Sequence, residues 1–388
     1  MQPLHNYQNA LHAALRGFME FESVTPLTRF LYPFFDQHRN PTHRLLALLE
    51  QFPYPLADSR QILAAHASKK TLSTVAYATL LCTLLADFYG TVPFQKLNRK
   101  KTAMPRPTIP VAAWGRAFAE KDAGLFKKTM RVISPLTDFS TSAIAGFFVH
   151  GSLATLDYEK NFSDFDSILI IKKNTIPNEL VLLRKKLLRA YALMYAVDPA
   201  QHHGIPVLYE SELEYYPEHY FPLAVLRDAV PVVPFSSSSS TVFVRDDAEE
   251  RIARVEKNAA YFSALANKNP RWMSIYTFKL VVAKVLLLPT LFLQAQGTPS
   301  LKKDSFHAIQ KHLSPDLIHL LDSYSTLRKE WPACWFSCWS ARLLGLLGNP
   351  FLPKIGTYLN LRRVPPFFLS HAALLARTLE AKLHERTK

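Results

Sequence analysis

The chain has 388 residues, of which 48% are hydrophobic and 20% charged. That excludes a disordered protein and exceeds what one hydrophobic core holds, so two or three domains are expected. The formal charge of +15 is unevenly spread: residues 1–131 carry 17 basic against 8 acidic side chains, residues 132–245 carry 9 against 12, and residues 246–388 carry 20 against 11. An acidic centre between basic arms suits a polyanionic ligand such as a nucleoside triphosphate, with RNA or another polyanion as a further partner.

In chain order, residues 1–130 read as a helical N-terminal domain. His43 to Leu49 and Thr74 to Leu85 have helical content, and Pro53, Pro55, Pro93, Pro105, Pro107 and Pro110 mark connections. The dense basic run Lys96 to Lys101 reads as a solvated loop, and Ala112 to Arg131 as a further helix. The start, MQPLHNYQNALHAALRGF, lacks a basic end and a continuous apolar core, so no signal peptide is expected and a cytoplasmic location follows. The apolar runs Thr71 to Ala86 and Leu280 to Ala295 fall short of a span of roughly 20 unbroken apolar residues, so no membrane segment is expected. The cysteines Cys82, Cys334 and Cys338 are too few for a disulfide framework and for a structural zinc site, which implies a reducing compartment.

Residues 131–245 hold the chemistry. Phe147-Phe148-Val149 reads as a strand that stops at Gly151-Ser152, and Ile168 to Ile171 as a buried second strand preceded by Asp164-Phe165-Asp166. Alternate residues share a face of a strand, so Asp164 and Asp166 project together while Phe165 enters the core. Two adjacent carboxylates repel unless a cation lies between them, and hard divalent ions take such oxygen ligands. Asn174 to Pro177 signals a helix start, Glu179 to Val197 a helix, and Gly204 to Glu210 a third strand. The serines from Ser236 to Ser240 read as a linker.

Residues 246–388 read as a helical C-terminal domain. It opens with the acidic turn Asp246 to Glu250, and amphipathic segments follow through Leu293, at Leu317 to Leu327, Cys334 to Leu347 and Leu369 to Leu383. The class expected is α+β (mixed α/β), a small sheet core between two helical domains.

Gly151-Ser152, eleven residues, then Asp164-Phe165-Asp166 between apolar strands resembles the signature of the DNA polymerase β-type nucleotidyltransferase superfamily. The match covers about 100 residues from Ala143. The stretch from Gln201 to Gly204 and the helical tail are similar to uncharacterised bacterial members with a helical C-terminal domain. The resemblance implies a Mg²⁺-dependent enzyme that transfers a nucleoside monophosphate from an NTP such as ATP to a hydroxyl of a small molecule, an RNA end or a protein. Asp164 and Asp166 would hold two Mg²⁺ ions about 3.5–4 Å apart, with Mn²⁺ as an alternative. Gly151 would let the backbone approach the phosphates, and Ser152 would offer its hydroxyl and N–H groups.

The family's third carboxylate has no clean match here. Glu210, at the end of the third strand, is a candidate ligand or base, and His203 or His202 a candidate substitute. Counter-charge for the triphosphate is expected from Lys279, Lys284, Lys302 and Lys303, with Lys279 and Lys303 as the binding residues. The missing third acid leaves an alternative: a weak or inactive nucleotidyltransferase fold that binds a nucleotide or nucleic acid as a regulator.

Overall fold

Strand residues in the middle of this chain are apolar on both faces, and both faces are covered. The computed structural model describes residues 2–20, 73–137, 143–201, 203–235, 241–298, 302–331 and 360–387. Its elements are α1 (Gln2–Glu20), α2 (Thr74–Thr91), β1 (Arg99–Ala103), α3 (Val111–Thr137), β2 (Ile144–Val149), α4 (Gly151–Thr155), β3 (Ser167–Ile171), α5 (Pro177–Val197), β4 (Val207–Tyr209), β5 (Val230–Val233), β6 (Thr241–Arg245), α6 (Ala248–Lys268), β7 (Trp272–Ser274), α7 (Ile275–Ala295), α8 (Lys302–Ile309), α9 (Pro315–Lys329), β8 (Leu361–Arg363) and α10 (Phe368–Thr387). The class is α+β.

The central sheet has the order β4-β3-β2-β5. The strands β2 and β3 are antiparallel, with Val149 opposite Ser167, while β3 and β4 are parallel, with Ile171 opposite Tyr209. Side chains alternate as a pleated strand requires. Phe147, Val149, Leu169, Ile171, Val207 and Tyr209 face one cluster with α1, α2, α3 and α5. Phe148, Ile168, Ile170 and Leu208 face the other way, against Tyr216, Phe221, Leu226 and Val242. The described helices of residues 1–130 therefore share a core with the sheet.

Local signals explain the element ends. The helix α2 starts at Ser73, whose hydroxyl accepts from Ala76 N at 3.2 Å. Pro177 opens α5, and the Glu179 carboxylate accepts from Ile176 N at 3.4 Å. The expected helix at Ala112 to Arg131 is longer, running to Thr137, with non-helical backbone at Asp122. The basic run expected as a loop is instead partly strand: Arg99–Ala103 pairs antiparallel with Thr241–Arg245. Periodicity hid it, because its side chains are half-buried or exposed throughout. The expected helices at His43 to Leu49 and Cys334 to Leu347, the linker at Ser236 to Ser240, and Cys334 and Cys338 lie outside the described residues.

The C-terminal helices α6, α7, α8, α9 and α10 pack around a cluster of their own. Among the described residues one helix, α7, is long and apolar enough to cross a membrane, and most of it is buried in that cluster. Phe162 reaches into the same cluster from the loop before the acid pair, its ring 5.0 Å from Trp331. The C-terminal helices thus brace that loop.

Candidate functional site

The strand pairing continues one residue past Val149 and Ser167, because His150 N donates to Asp166 O at 3.0 Å. That bond sets Gly151 directly against the Asp166 side chain. Gly151 has φ +68°, and a Cβ there would lie 2.5 Å from Asp166 Oδ2. Only glycine fits both the backbone angle and the contact. Ser152 follows in α4, whose carbonyl at Leu153 accepts from Trp114 Nε1 at 2.9 Å, which ties the turn to α3.

Asp164 and Asp166 project together as expected, while Phe165 between them is fully buried. Their side chains are 16% and 28% exposed, open enough to meet a ligand. Between them sits His203, with Nε2 3.3 Å from Asp164 Oδ2 and 2.9 Å from Asp166 Oδ1. Its Nδ1 lies 3.0 Å from Gly204 O. A carbonyl can only accept, so Nδ1 carries a proton and Nε2 is the nitrogen that faces the acids. Burial alone lowers the pKa of this imidazole, but the hydrogen bonds and charges of Asp164 and Asp166 outweigh it and hold the pKa well above its ordinary value. As a cation, His203 neutralises part of the repulsion between the acids, and a metal ion bound there would displace its Nε2 proton and take over that role.

The donor set Asp164, Asp166 and His203 fits a divalent cation: their ligand atoms all lie within 4.8 Å of one another. Two hard oxygens and one imidazole nitrogen suit Mn²⁺ or Mg²⁺, with the nitrogen favouring the softer ion. The second layer is equally ordered. Gln201 Oε1 accepts from Phe165 N at 3.0 Å, and Gln201 Nε2 donates to Phe165 O at 3.3 Å and to His203 O at 3.0 Å. One buried amide thus fixes both the acid pair and the histidine.

Parallel pairing decides which expected third ligand reaches the acids. In a parallel pair, the segment that enters β4 lies beside the segment that enters β3. His203 precedes β4 and therefore meets Asp164 and Asp166. Glu210 follows β4, at the far end of the sheet, roughly 15–20 Å along the strands, where its Oε2 accepts from Lys173 N at 3.1 Å. Glu210 is not brought to the acid pair. His202 lies outside the described residues.

Lys279 does not face a phosphate site either. It is 1% exposed, and its ammonium is ion-paired with Asp198, which is equally buried. Burial raises the Asp198 pKa to about 6, with Lys279 opposing it, while Asp198 first and then Asp164 hold the Lys279 pKa up against its own burial. Asp198 Oδ1 also accepts from Ala200 N at 3.0 Å, so the pair anchors the loop that carries Gln201 and His203 to α7. The Lys279 ammonium lies 5.2 Å from the centre of the Phe162 ring.

Among the described residues, Lys302 also lies in the field of the acids. Burial lowers its pKa and Arg328 adds to that, while Asp164 and Asp166 oppose both. Lys303 lies in α8, and its side chain is outside the described residues. Lys284 stands 4.9 Å from the Tyr261 ring centre. The residues missed in the sequence are Gln201 and Asp198. Gln201 stood beside the noted histidines, but nothing in its spacing marks a clamp on a segment 36 residues away.

Comparison with family models, with curated proteins and with solved structures finds no match to this chain.

Proposed function

We propose that this chain is a nucleotidyltransferase of the polymerase β type, which moves a nucleoside monophosphate from an NTP to a hydroxyl acceptor and releases pyrophosphate. The observation that carries this reading is the side-chain-free Gly151 packed on Asp166 within a cluster of Asp164, Asp166 and His203. Few structural needs call for two largely buried carboxylates side by side beside a left-handed glycine.

Asp164, Asp166 and His203 would hold a divalent cation, whose charge would offset the triphosphate and polarise the acceptor hydroxyl. The chain's own residues do the rest. Gly151 leaves room for a phosphate oxygen to approach the backbone, and Ser152 offers a hydroxyl beside it. Lys302, in the field of Asp164 and Asp166, would supply positive charge for the leaving pyrophosphate. Gln201 holds the acids and His203 in register, which keeps reacting atoms in line. This reading goes with a cytoplasmic setting and with an acceptor among small molecules, RNA ends or proteins.

The test is incubation of the full chain with Mg²⁺ or Mn²⁺ and each NTP labelled at the α-phosphate, with candidate acceptors. Label should pass to an acceptor with release of pyrophosphate, and the Asp164→Asn/Asp166→Asn variant should abolish both. Transfer that persists in that variant overturns the assignment. One observation favours a second reading: an imidazole, not a third carboxylate, closes the cluster. A regulator that binds nucleotide without turnover would bind NTP in the same assay and release no pyrophosphate.

A further inference from the structure

Two of the helices that cover the sheet carry charge of a single sign. Residues 123–137, the second half of α3, hold Lys127, Lys128 and Arg131 and no aspartate or glutamate. Residues 180–197, most of α5, hold Arg184, Lys185, Lys186 and Arg189 and again no acid. Arg184 is buried, and its Nε donates to Phe18 O at 2.7 Å, so it serves the core. Lys127, Lys128, Arg131, Lys185 and Arg189 are exposed. Their spacing is i, i+1 and i+4 on α3 and i and i+4 on α5, so each helix presents its cations on one side.

None of these five cations forms an ion pair with a described residue. The nearest acids along the two helices are engaged elsewhere: Glu179 accepts from Ile176 N, and Asp122 accepts from Leu125 N and faces Lys160.

Topology brings the two groups together. The helix α3 leads into the start of β2 and α5 leaves the end of β3, and those strand ends are adjacent because Ile144 is paired with Ile171. The helices therefore run antiparallel, and they pack on each other over one cluster. At about 1.5 Å per residue, the α3 cations lie roughly 9–15 Å from that end and the α5 cations roughly 12–18 Å. Axes of packed helices are about 8–10 Å apart. One patch results, in which the positive charges repel one another unless a polyanion lies against them.

The other side chains of the patch select the polyanion. No aromatic ring is exposed in either stretch, so the bases of a single strand have nothing to stack on. Among large apolar side chains only Met130 and Leu182 are exposed there, at 38% and 43%, and a lipid interface takes aromatic or larger apolar anchors beside its cations. Charge without anchors suits a rod of phosphates, and a nucleic-acid duplex carries one negative charge per about 1.7 Å of its axis.

We propose that the outer faces of α3 and α5 form a docking surface for the phosphate backbone of a nucleic-acid duplex, held without regard to sequence. This goes beyond the transfer reading and does not depend on it. The acid pair lies at the other end of the sheet, where β2 ends and β3 begins.

Fluorescence anisotropy of a short labelled DNA duplex with the full chain, without NTP or divalent metal and over a range of salt, tests it. The dissociation constant should lie at about 10⁻⁶–10⁻⁴ M near physiological salt. The logarithm of affinity should fall against that of salt with a slope near about −4.5, at about −0.9 for each of five neutralised phosphates. Lys128→Glu/Arg131→Glu and Lys185→Glu/Arg189→Glu should each weaken binding at least about tenfold and flatten the slope by about 2. Lys100→Glu/Lys101→Glu, at exposed positions of β1, changes the net charge equally and should leave the slope unchanged. All six positions are exposed, and circular dichroism checks that each variant is folded. Absence of binding at low salt overturns the proposal, and so does an equal loss in the β1 variant, which would mean attraction by net charge alone. Tighter binding of a single strand of the same length overturns it as well. So does tighter binding to phosphatidylglycerol-containing vesicles that the two helix variants abolish, which would make the surface a lipid contact.

Discussion

Gln201 grips both sides of the Phe165 peptide unit, accepting from its N–H at 3.0 Å and donating to its carbonyl at 3.3 Å, so the residue between the two aspartates has no freedom to turn. Gln201→Ala leaves a buried N–H unpaired, which costs about 1–3 kcal/mol in stability. A group that only stabilised the fold would stop there. Because Gln201 sets the acids, the same variant should also lose about 10–100-fold in divalent-metal affinity, while Gln201→Glu, which keeps the acceptor, should retain part of it. Urea unfolding and metal titration together check this, and unchanged metal affinity in a folded Gln201→Ala would refute the positioning role.

Gly151 makes a sharper case. An added methyl group meets Asp166 Oδ2 at 2.5 Å and must also sit at φ +68°. The backbone conformation alone costs roughly 1–2 kcal/mol for a side chain. Gly151→Ala should therefore lower the unfolding midpoint modestly and abolish metal binding at the acid pair, because Asp166 has to swing away. A variant that binds metal as tightly as the parent would show that Asp166 is not a ligand.

How much of this was legible in the sequence follows from which interactions are local. The alternation that puts Asp164 and Asp166 on one face and Phe165 in the core is a property of three consecutive residues, and the structure has it. The choice between His203 and Glu210 depends on whether β4 runs parallel or antiparallel to β3, and no residue in either strand encodes that. Lys279 looked available because a lysine on an apolar helix has no local partner. Its partner, Asp198, lies 81 residues earlier. The strands β1 and β6 were missed because neither alternates cleanly between buried and exposed positions.

The Asp198 and Lys279 pair yields a prediction of its own. Both side chains are 1% exposed, so removing one leaves an uncompensated buried charge. Lys279→Met should destabilise the chain by about 3–5 kcal/mol. Adding Asp198→Asn, which preserves the acceptor for Ala200 N, should recover most of that loss. Urea unfolding of the parent, both single variants and the double variant measures the coupling. Additive losses would mean that the two groups do not interact as ions.

Glu250 gives the chain an acid-sensitive contact between α1 and α6. It accepts from Arg245 at 2.8 Å and lies 3.5 Å from His5. Burial pushes its pKa up, but the His5 hydrogen bond and the Arg245 charge outweigh that and pull it from 4.5 down to about 2. A depressed carboxylate contributes stability that is complete above its ordinary value and is lost as pH falls through the folded-state value. The loss therefore falls between about pH 4.5 and 2. Because the group is partly solvated, screening reduces the contribution to about 1–2 kcal/mol. The parent should lose that much more stability than Glu250→Gln across this range, and parallel stability curves would rule the contact out as the cause.

His203 sets the metal preference. Its Nδ1 is committed to Gly204 O, so only Nε2 is available to the site, and it already lies 2.9 Å from Asp166. An imidazole nitrogen raises affinity for Mn²⁺ relative to Mg²⁺, which prefers oxygen and gains little from nitrogen. His203→Asp would make the set all-oxygen and should lower the ratio of Mn²⁺ to Mg²⁺ affinity about tenfold. His203→Ala should lower the same ratio while weakening both ions, since two carboxylates alone must then hold the cation. Competition titrations with Mn²⁺ followed by its paramagnetic signal measure the ratio without reference to turnover. A ratio that stays constant across the parent, His203→Asp and His203→Ala would show that the imidazole serves only as a counter-ion to the acids and never as a ligand.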